Sequence, residues 1–150
     1  MISPILATKL YSPPPRPGTV TRLRLIERLD EGLCSGHKLS LISASAGFGK
    51  TTLVGEWITK SGLPVAWLSL DDGDNDPVRF ISYLIAALQT IKAEIGESLL
   101  AAIQAHQPPS NESILTALLN EITVHLKEFL FVLDDYHTID DSKPVDEILL

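Results

Sequence analysis

The run Ala44-Ser45-Ala46-Gly47-Phe48-Gly49-Lys50-Thr51 is where residue types and spacing in this 150-residue chain first suggest chemistry. It departs from the phosphate-binding pattern G-x-x-x-x-G-K-[ST] only at its first glycine, which is Ala44 here. A polyphosphate needs several backbone N–H groups pointing at one place. Gly47 and Gly49 let the chain curl without Cβ clashes, so the amides of Ala46, Gly47, Phe48, Gly49, Lys50, Thr51 and Thr52 are the candidate cradle. A helix starting at Lys50 would turn its positive end toward the anion. Lys50 is the residue type that reaches β- and γ-phosphates, and the Thr51 hydroxyl is the type that ligates Mg²⁺. The bland alternative is an incidental glycine-rich turn. An apolar strand before the run and an amphipathic helix after it argue against that.

A second signal is Phe129-Leu130-Phe131-Val132-Leu133-Asp134-Asp135. A uniformly apolar run reads as a strand buried on both faces. A carboxylate at its C-terminal tip would lie at the ligand edge of a parallel sheet. Asp134 is then the candidate acid on the metal side, acting through water because Mg²⁺ keeps several of its waters. Asp135 is the candidate catalytic group, orienting an attacking water. The other reading of Asp135 is a cap or turn residue. His137 follows closely enough to reach the same place.

The elements that must position these groups are legible around them. Prolines 13, 14, 15 and 17 mark residues 1–21 as an extended N-terminal arm. Ile5, Leu6 and Leu10 could dock that arm, or it could be a flexible tail. Residues 22–33 repeat at helical spacing through Leu25 or Ile26, Leu29 and Leu33. Residues 38–43 read as a strand. Residues 50–59 read as a helix with Leu53, Val54 and Trp57 inward, stopped by Ser61-Gly62 and Pro64. Residues 65–70 form a second strand. Asp76 and Pro77 cap a helix running to about Ile95, with Phe80, Ile81, Leu84, Ile85 and Leu88 inward. Gly96 interrupts it, and a shorter helix reaches His106. After Pro108-Pro109, Ser110 or Asn111 caps a helix with Ile114 or Leu115, Leu118, Ile122 and Leu126 inward. Strands alternating with helices predict an α/β fold with a parallel sheet.

Composition narrows the choices. A 45 % hydrophobic, 21 % charged chain is globular rather than disordered. The net charge is −7 and the twelve basic residues are scattered, which does not suit direct binding to a nucleic-acid backbone. The lone Cys34 forms no disulfide framework and reads as a small buried apolar residue. No segment reads as a signal peptide or a membrane helix, so the cytoplasm is the expected location. Asp72, Asp74 and Asp76 alternate as in a calcium loop, but Pro77 and Tyr83 stand where Gly and Glu are required, so they read as an acidic turn. His37, His106 and His125 are isolated and read as surface or boundary residues.

Several segments together are more specific than a phosphate loop. Thr8-Lys9-Leu10 with the proline arm and Val20-Thr21-Arg22 comes first, then Ser45 to Leu53, then Leu133-Asp134-Asp135-Tyr136-His137. Between them lies Ala66-Trp67-Leu68-Ser69-Leu70-Asp71, with Asn75-Asp76 and Phe80. Over nearly the whole chain this resembles the N-terminal portion of the MalT-like transcriptional activators, the ATP-dependent LuxR-type regulators of bacteria. These belong to the STAND class of P-loop NTPases. That family also tends to lack the first glycine of the loop. The resemblance implies a three-layer α/β/α domain over residues 22–150 that binds ATP with Mg²⁺ and hydrolyses it slowly. It implies a switch that self-associates with nucleotide bound and controls transcription. DNA would be bound only by a C-terminal helix-turn-helix domain. It also places Val20 and Arg22 near the base or ribose of the nucleotide.

The family's sheet has a further strand between the phosphate-loop strand and the strand ending at Asp134, and that strand would follow residue 150. The chain is therefore expected to be an incomplete P-loop domain, lacking the sensor repeats and the DNA-binding domain. Two other readings compete. One is a stand-alone ATP-dependent enzyme such as a small-molecule kinase, for which Arg79, the one arginine after Lys50, is poorly placed as a lid residue. The other is an α/β interaction domain with an inactive loop, against which Lys50, Thr51 and Asp134 all count.

Overall fold

The computed structural model describes residues 5–12, 22–36, 49–71, 73 and 76–134. The expected strand at 38–43, most of the phosphate loop, Val20, Asp135, His37 and His137 lie outside them. The described residues are mixed α/β, with five α-helices and a parallel two-stranded sheet, as in a P-loop NTPase-like α/β fold. The chain divides into two compact units, residues 12–63 in one and residues 1–11 with 64–150 in the other.

In the larger unit, β1 (Val65–Ser69) pairs in parallel with β2 (Leu130–Asp134), Val65 opposite Leu130 and Ser69 opposite Asp134. The ladder extends at both ends, with Leu130 N–H donating to the Pro64 carbonyl at 2.8 Å and Leu70 N–H to the Asp134 carbonyl at 2.9 Å. Parallel strands need a long crossover. Here it is α3 (Pro77–Gln89), α4 (Glu97–Ile103) and α5 (Asn111–His125). α3 is apolar on nearly all sides, and Phe80, Ile81, Tyr83, Leu84, Ile85, Ala87 and Leu88 are all buried. Such a helix has to be central. It packs against β1, and its core joins Ala66, Leu68, Leu70, Leu99, Ile103, Ile114 and Leu118.

The helix starts follow the expected chemistry. Asp76 accepts from the Arg79 amide at 3.2 Å with Pro77 at the first turn, and Ser110, not Asn111, accepts from the Ser113 amide at 3.2 Å. Three expectations need correction. α3 stops at Gln89 rather than near Ile95, because the amides of Thr90 and Ile91 bond three residues back and the Gln89 side chain donates to the Ile95 carbonyl at 2.9 Å. β2 is half-buried along its length rather than buried on both faces. Its one strand neighbour among the described residues is β1. Cys34 ends α1 and is exposed, not a buried apolar residue.

The N-terminal segment docks, though not through the side chains of Ile5 and Leu6, which stay exposed. A short 3-10 helix, Ala7–Leu10, lies against β1 and buries Lys9 and Leu10. The buried ammonium needs compensation. It ion-pairs with Asp71 at 3.0 Å and stands 4.3 Å from the centroid of the Tyr83 ring. The Tyr83 hydroxyl accepts from the Leu6 amide at 3.0 Å. Arg79 approaches the same carboxylate at 3.4 Å. Partial burial pushes the Asp71 carboxyl up. The hydrogen bond and charge of Lys9, the Gly73 amide and the Arg79 charge together outweigh this and hold it below its ordinary value.

A depressed carboxyl contributes stability that is present above its unfolded value and lost as pH falls through its folded one. Asp71→Asn should therefore lower the melting temperature at pH 7. The gap to the unsubstituted chain should close as pH falls below about 3.9, where both carry a neutral group. A thermal scan across pH checks this, and a gap that is independent of pH would contradict it.

Gly96 turns the chain into α4 at φ 75°, and a Cβ there would collide with the Ile85 side chain, which is fully buried. Gly96→Ala should combine left-handed strain with overpacking and cost about 2–4 kcal/mol, read from the denaturant midpoint at unchanged slope.

Candidate functional site

Among the described residues of the smaller unit are two helices, α1 (Leu23–Cys34) and α2 (Lys50–Ser61). Buried Ile26 and Gly32 on α1 and Leu53 and Trp57 on α2 form its inner surfaces. Leu33, expected inward, is exposed, because Gly32 occupies the inward position of the last turn. Gly62, at φ 70°, ends α2 ahead of Pro64, as the sequence implies.

Two hydrogen bonds fix how the helices are arranged. At the start of both, Arg22 Nη2 donates to the Gly49 carbonyl at 2.7 Å. Farther along, Trp57 Nε1 donates to the Asp30 carboxylate at 2.8 Å. Both bonds join residues 27 apart in sequence, and each partner has advanced by the same number of residues. The helices therefore run in the same direction with their N-termini level.

That arrangement is electrostatically one-sided. Each N-terminus carries roughly half a positive charge on its first amides. Neither α1 nor α2 has an acidic residue in its first turn, and neither N-cap offers a side-chain acceptor. Gly49, the N-cap of α2, has no side chain to offer. The other helices are compensated: α3 by Asp76, α5 by Ser110 and Glu112, and α4 by Glu97. The carboxylate of Glu121 also accepts from the Gly96 amide at 2.9 Å, a contact that nothing in the sequence pattern announced. The α1–α2 pair brings the Arg22 guanidinium and the first residue of α2, Lys50, to one end.

The structure thus places Arg22, Gly49, Lys50, Thr51 and Thr52 in one unit, at one end of a helix pair. Lys50, Thr51 and Thr52 are half-buried. Asp134 belongs to the other unit, where it ends β2 opposite Ser69. Ala46, Gly47, Phe48, Val20 and Asp135 fall outside the described residues. Arg22 was expected beside a base or ribose; among the described residues it donates to the Gly49 carbonyl.

The fold is of the partial P-loop NTPase-like α/β type. Comparison with known proteins is more specific. The chain is 35% identical over 143 residues to the serine/threonine-protein kinase PknK of Mycobacterium tuberculosis, covering 93% of this chain and 13% of that protein. It is 38% identical over 135 residues to the HTH-type transcriptional regulator MalT of Cronobacter sakazakii, covering 90% of this chain and 15% of the regulator. The MalT of Serratia proteamaculans is 39% identical over 136 residues, with the same coverage. No family model matches the chain. The chain is a MalT-like sequence along nine-tenths of its length, and it spans 13–15% of the length of these curated relatives. Among the described residues no helix is long and apolar enough to cross a membrane.

Proposed function

We propose that residues 44–52 form a phosphate-binding loop for ATP and that the chain is the nucleotide-binding part of a MalT-like transcriptional switch. The observation that carries this reading is the level pair of helix N-termini with no acidic residue in either first turn. Such an end, joined by Gly49, Lys50 and Arg22, suits an anion such as a polyphosphate. In this reading the amides from Ala46 to Thr52 cradle the phosphates, and Lys50 neutralises the terminal ones. Thr51 and Asp134 are the residues that would hold Mg²⁺. Asp135 orients a water for slow hydrolysis. Mg²⁺, when bound, would screen the phosphate charge.

Two kinds of relative support the switch over a kinase. Proteins named for a kinase and proteins named for a DNA-binding regulator align with the same nine-tenths of this chain. A segment common to both accounts for neither name alone. A nucleotide-dependent module that each uses for control fits both. Self-association with nucleotide bound, DNA contact through a separate domain and a cytoplasmic setting belong to this proposal.

Titration with a fluorescent ATP analogue and Mg²⁺ tests the site. Saturable binding is expected, weakened at least about tenfold by Lys50→Ala with an unchanged circular dichroism spectrum. Undiminished binding by Lys50→Ala, or no binding by the folded chain, would overturn the phosphate-loop assignment.

Asp134→Asn addresses the metal side separately. It should leave Mg²⁺-free binding intact while shrinking the gain in affinity that Mg²⁺ gives. An unchanged Mg²⁺ dependence would remove Asp134 from the proposed site.

A further inference from the structure

We infer that Arg22 is a positioning residue for the phosphate loop: it fixes and polarises the Gly49–Lys50 peptide rather than reading the base or ribose. This rests on the phosphate-site reading above and extends it to a residue outside the loop.

The geometry is specific. The Gly49 carbonyl accepts two bonds, from Arg22 Nη2 at 2.7 Å and from the Leu53 amide at 2.9 Å. The second is the first helical bond of α2, and the first lies outside the helix. That carbonyl belongs to the same peptide plane as the Lys50 N–H, the amide that opens α2. A guanidinium on the oxygen draws electron density from the nitrogen, so the N–H becomes a stronger donor to an anion. It also holds the plane in orientation. Gly49 is left-handed, at φ 72° and ψ 30°, and the residues after it are helical. That alternation aims successive amides into one concavity.

Arg22 is itself held in place. Its carbonyl accepts from the amides of Leu25 and Ile26, both at 3.1 Å, so its backbone is part of the start of α1. α1 is in turn tied to α2 by the Trp57–Asp30 bond. The guanidinium therefore reaches the Gly49 carbonyl from a backbone anchored at the start of α1. It lies over the face of Gly49 where a side chain would project. A Cβ on Gly49 would lie 2.6 Å from Arg22 Nη2. Glycine is favoured at 49 by its left-handed backbone angles, and a Cβ there would displace the guanidinium from its place.

A brace on the loop and a reader of the base predict different ligand dependence. The test uses the full 150-residue chain, with Mg²⁺–ATP and Mg²⁺–tripolyphosphate as probes. Arg22→Met should weaken both by the same factor, about tenfold, because tripolyphosphate has no base or sugar. Arg22→Lys keeps the charge and one donor and should recover part of the loss for both probes. The Lys50 amide, followed by ¹H–¹⁵N NMR without ligand, should shift upfield in both variants, more in Met than in Lys. Should Arg22→Met fail to fold, the Arg22→Lys affinities and amide shift make the same comparison. A loss confined to ATP would overturn the inference in favour of base or ribose contact. Unchanged affinities with an unmoved Lys50 amide would overturn it outright, leaving the phosphate site standing. No binding of either probe by the unsubstituted chain would overturn the phosphate-site reading, and this inference with it.

Discussion

Parallel pairing of β1 with β2 makes the chain leave the sheet twice at the same edge. Ser69 and Asp134 are opposite one another in the ladder, and the Leu70 amide still bonds to the Asp134 carbonyl beyond it. Whatever the sequence places after either strand is delivered to that edge. Asp71 follows β1 there, and Asp134 closes β2. The crossover that parallel pairing demands also supplies the core: α3 can be apolar on nearly every side only because β1, α4 and the N-terminal 3-10 helix surround it. Sheet direction and core composition are thus one requirement.

The smaller unit uses direction differently. Helix dipoles side by side and pointing the same way repel, and antiparallel neighbours would avoid this. The alignment of α1 with α2 is held by the Trp57–Asp30 and Arg22–Gly49 bonds and by apolar contact through Ile26, Leu53 and Trp57. The residual positive field is concentrated at the level N-termini. Arg22 adds to that field and is at the same time one of the ties that maintain it. A structure arranged only for stability would place an acid in one of those first turns, as α4 and α5 do.

Much of this was legible from residue order, and the reasons are local. The capping of α3 follows from Asp76-Pro77, the end of α2 from Gly62 and Pro64, and the inward face of α3 from its spacing. The failures came where a distant partner decides. The end of α3 depends on Gln89 reaching the Ile95 carbonyl, and the burial of β2 depends on what lies along its other edge. Lys9 is nearly buried despite its charge because Asp71 and Tyr83, more than sixty residues away, compensate it. The start of α2 at Lys50 could be read from spacing alone. That α1 runs level with α2 could not, since periodicity fixes a helix's faces and says nothing about its direction relative to a neighbour. The one sequence signal for the Arg22–Gly49 contact was a polar residue just ahead of an apolar helix.

The acidic balance of the chain sharpens the electrostatic point. With 19 acidic residues against 12 basic ones, an unselected helix start would readily acquire a carboxylate. In the larger unit carboxylates serve structure: Asp71 pairs with Lys9 and Arg79, Asp76 caps α3, and Glu121 holds the turn before α4. In the smaller unit Asp30 lies two turns along α1, where it accepts from Trp57 and is too far along the helix to neutralise its first amides. An acid in either first turn would gain about 0.3–1 kcal/mol from the helix dipole. It would also repel a phosphate through the same field, so the stabilising choice and the binding choice are mutually exclusive at that one end of the helix pair.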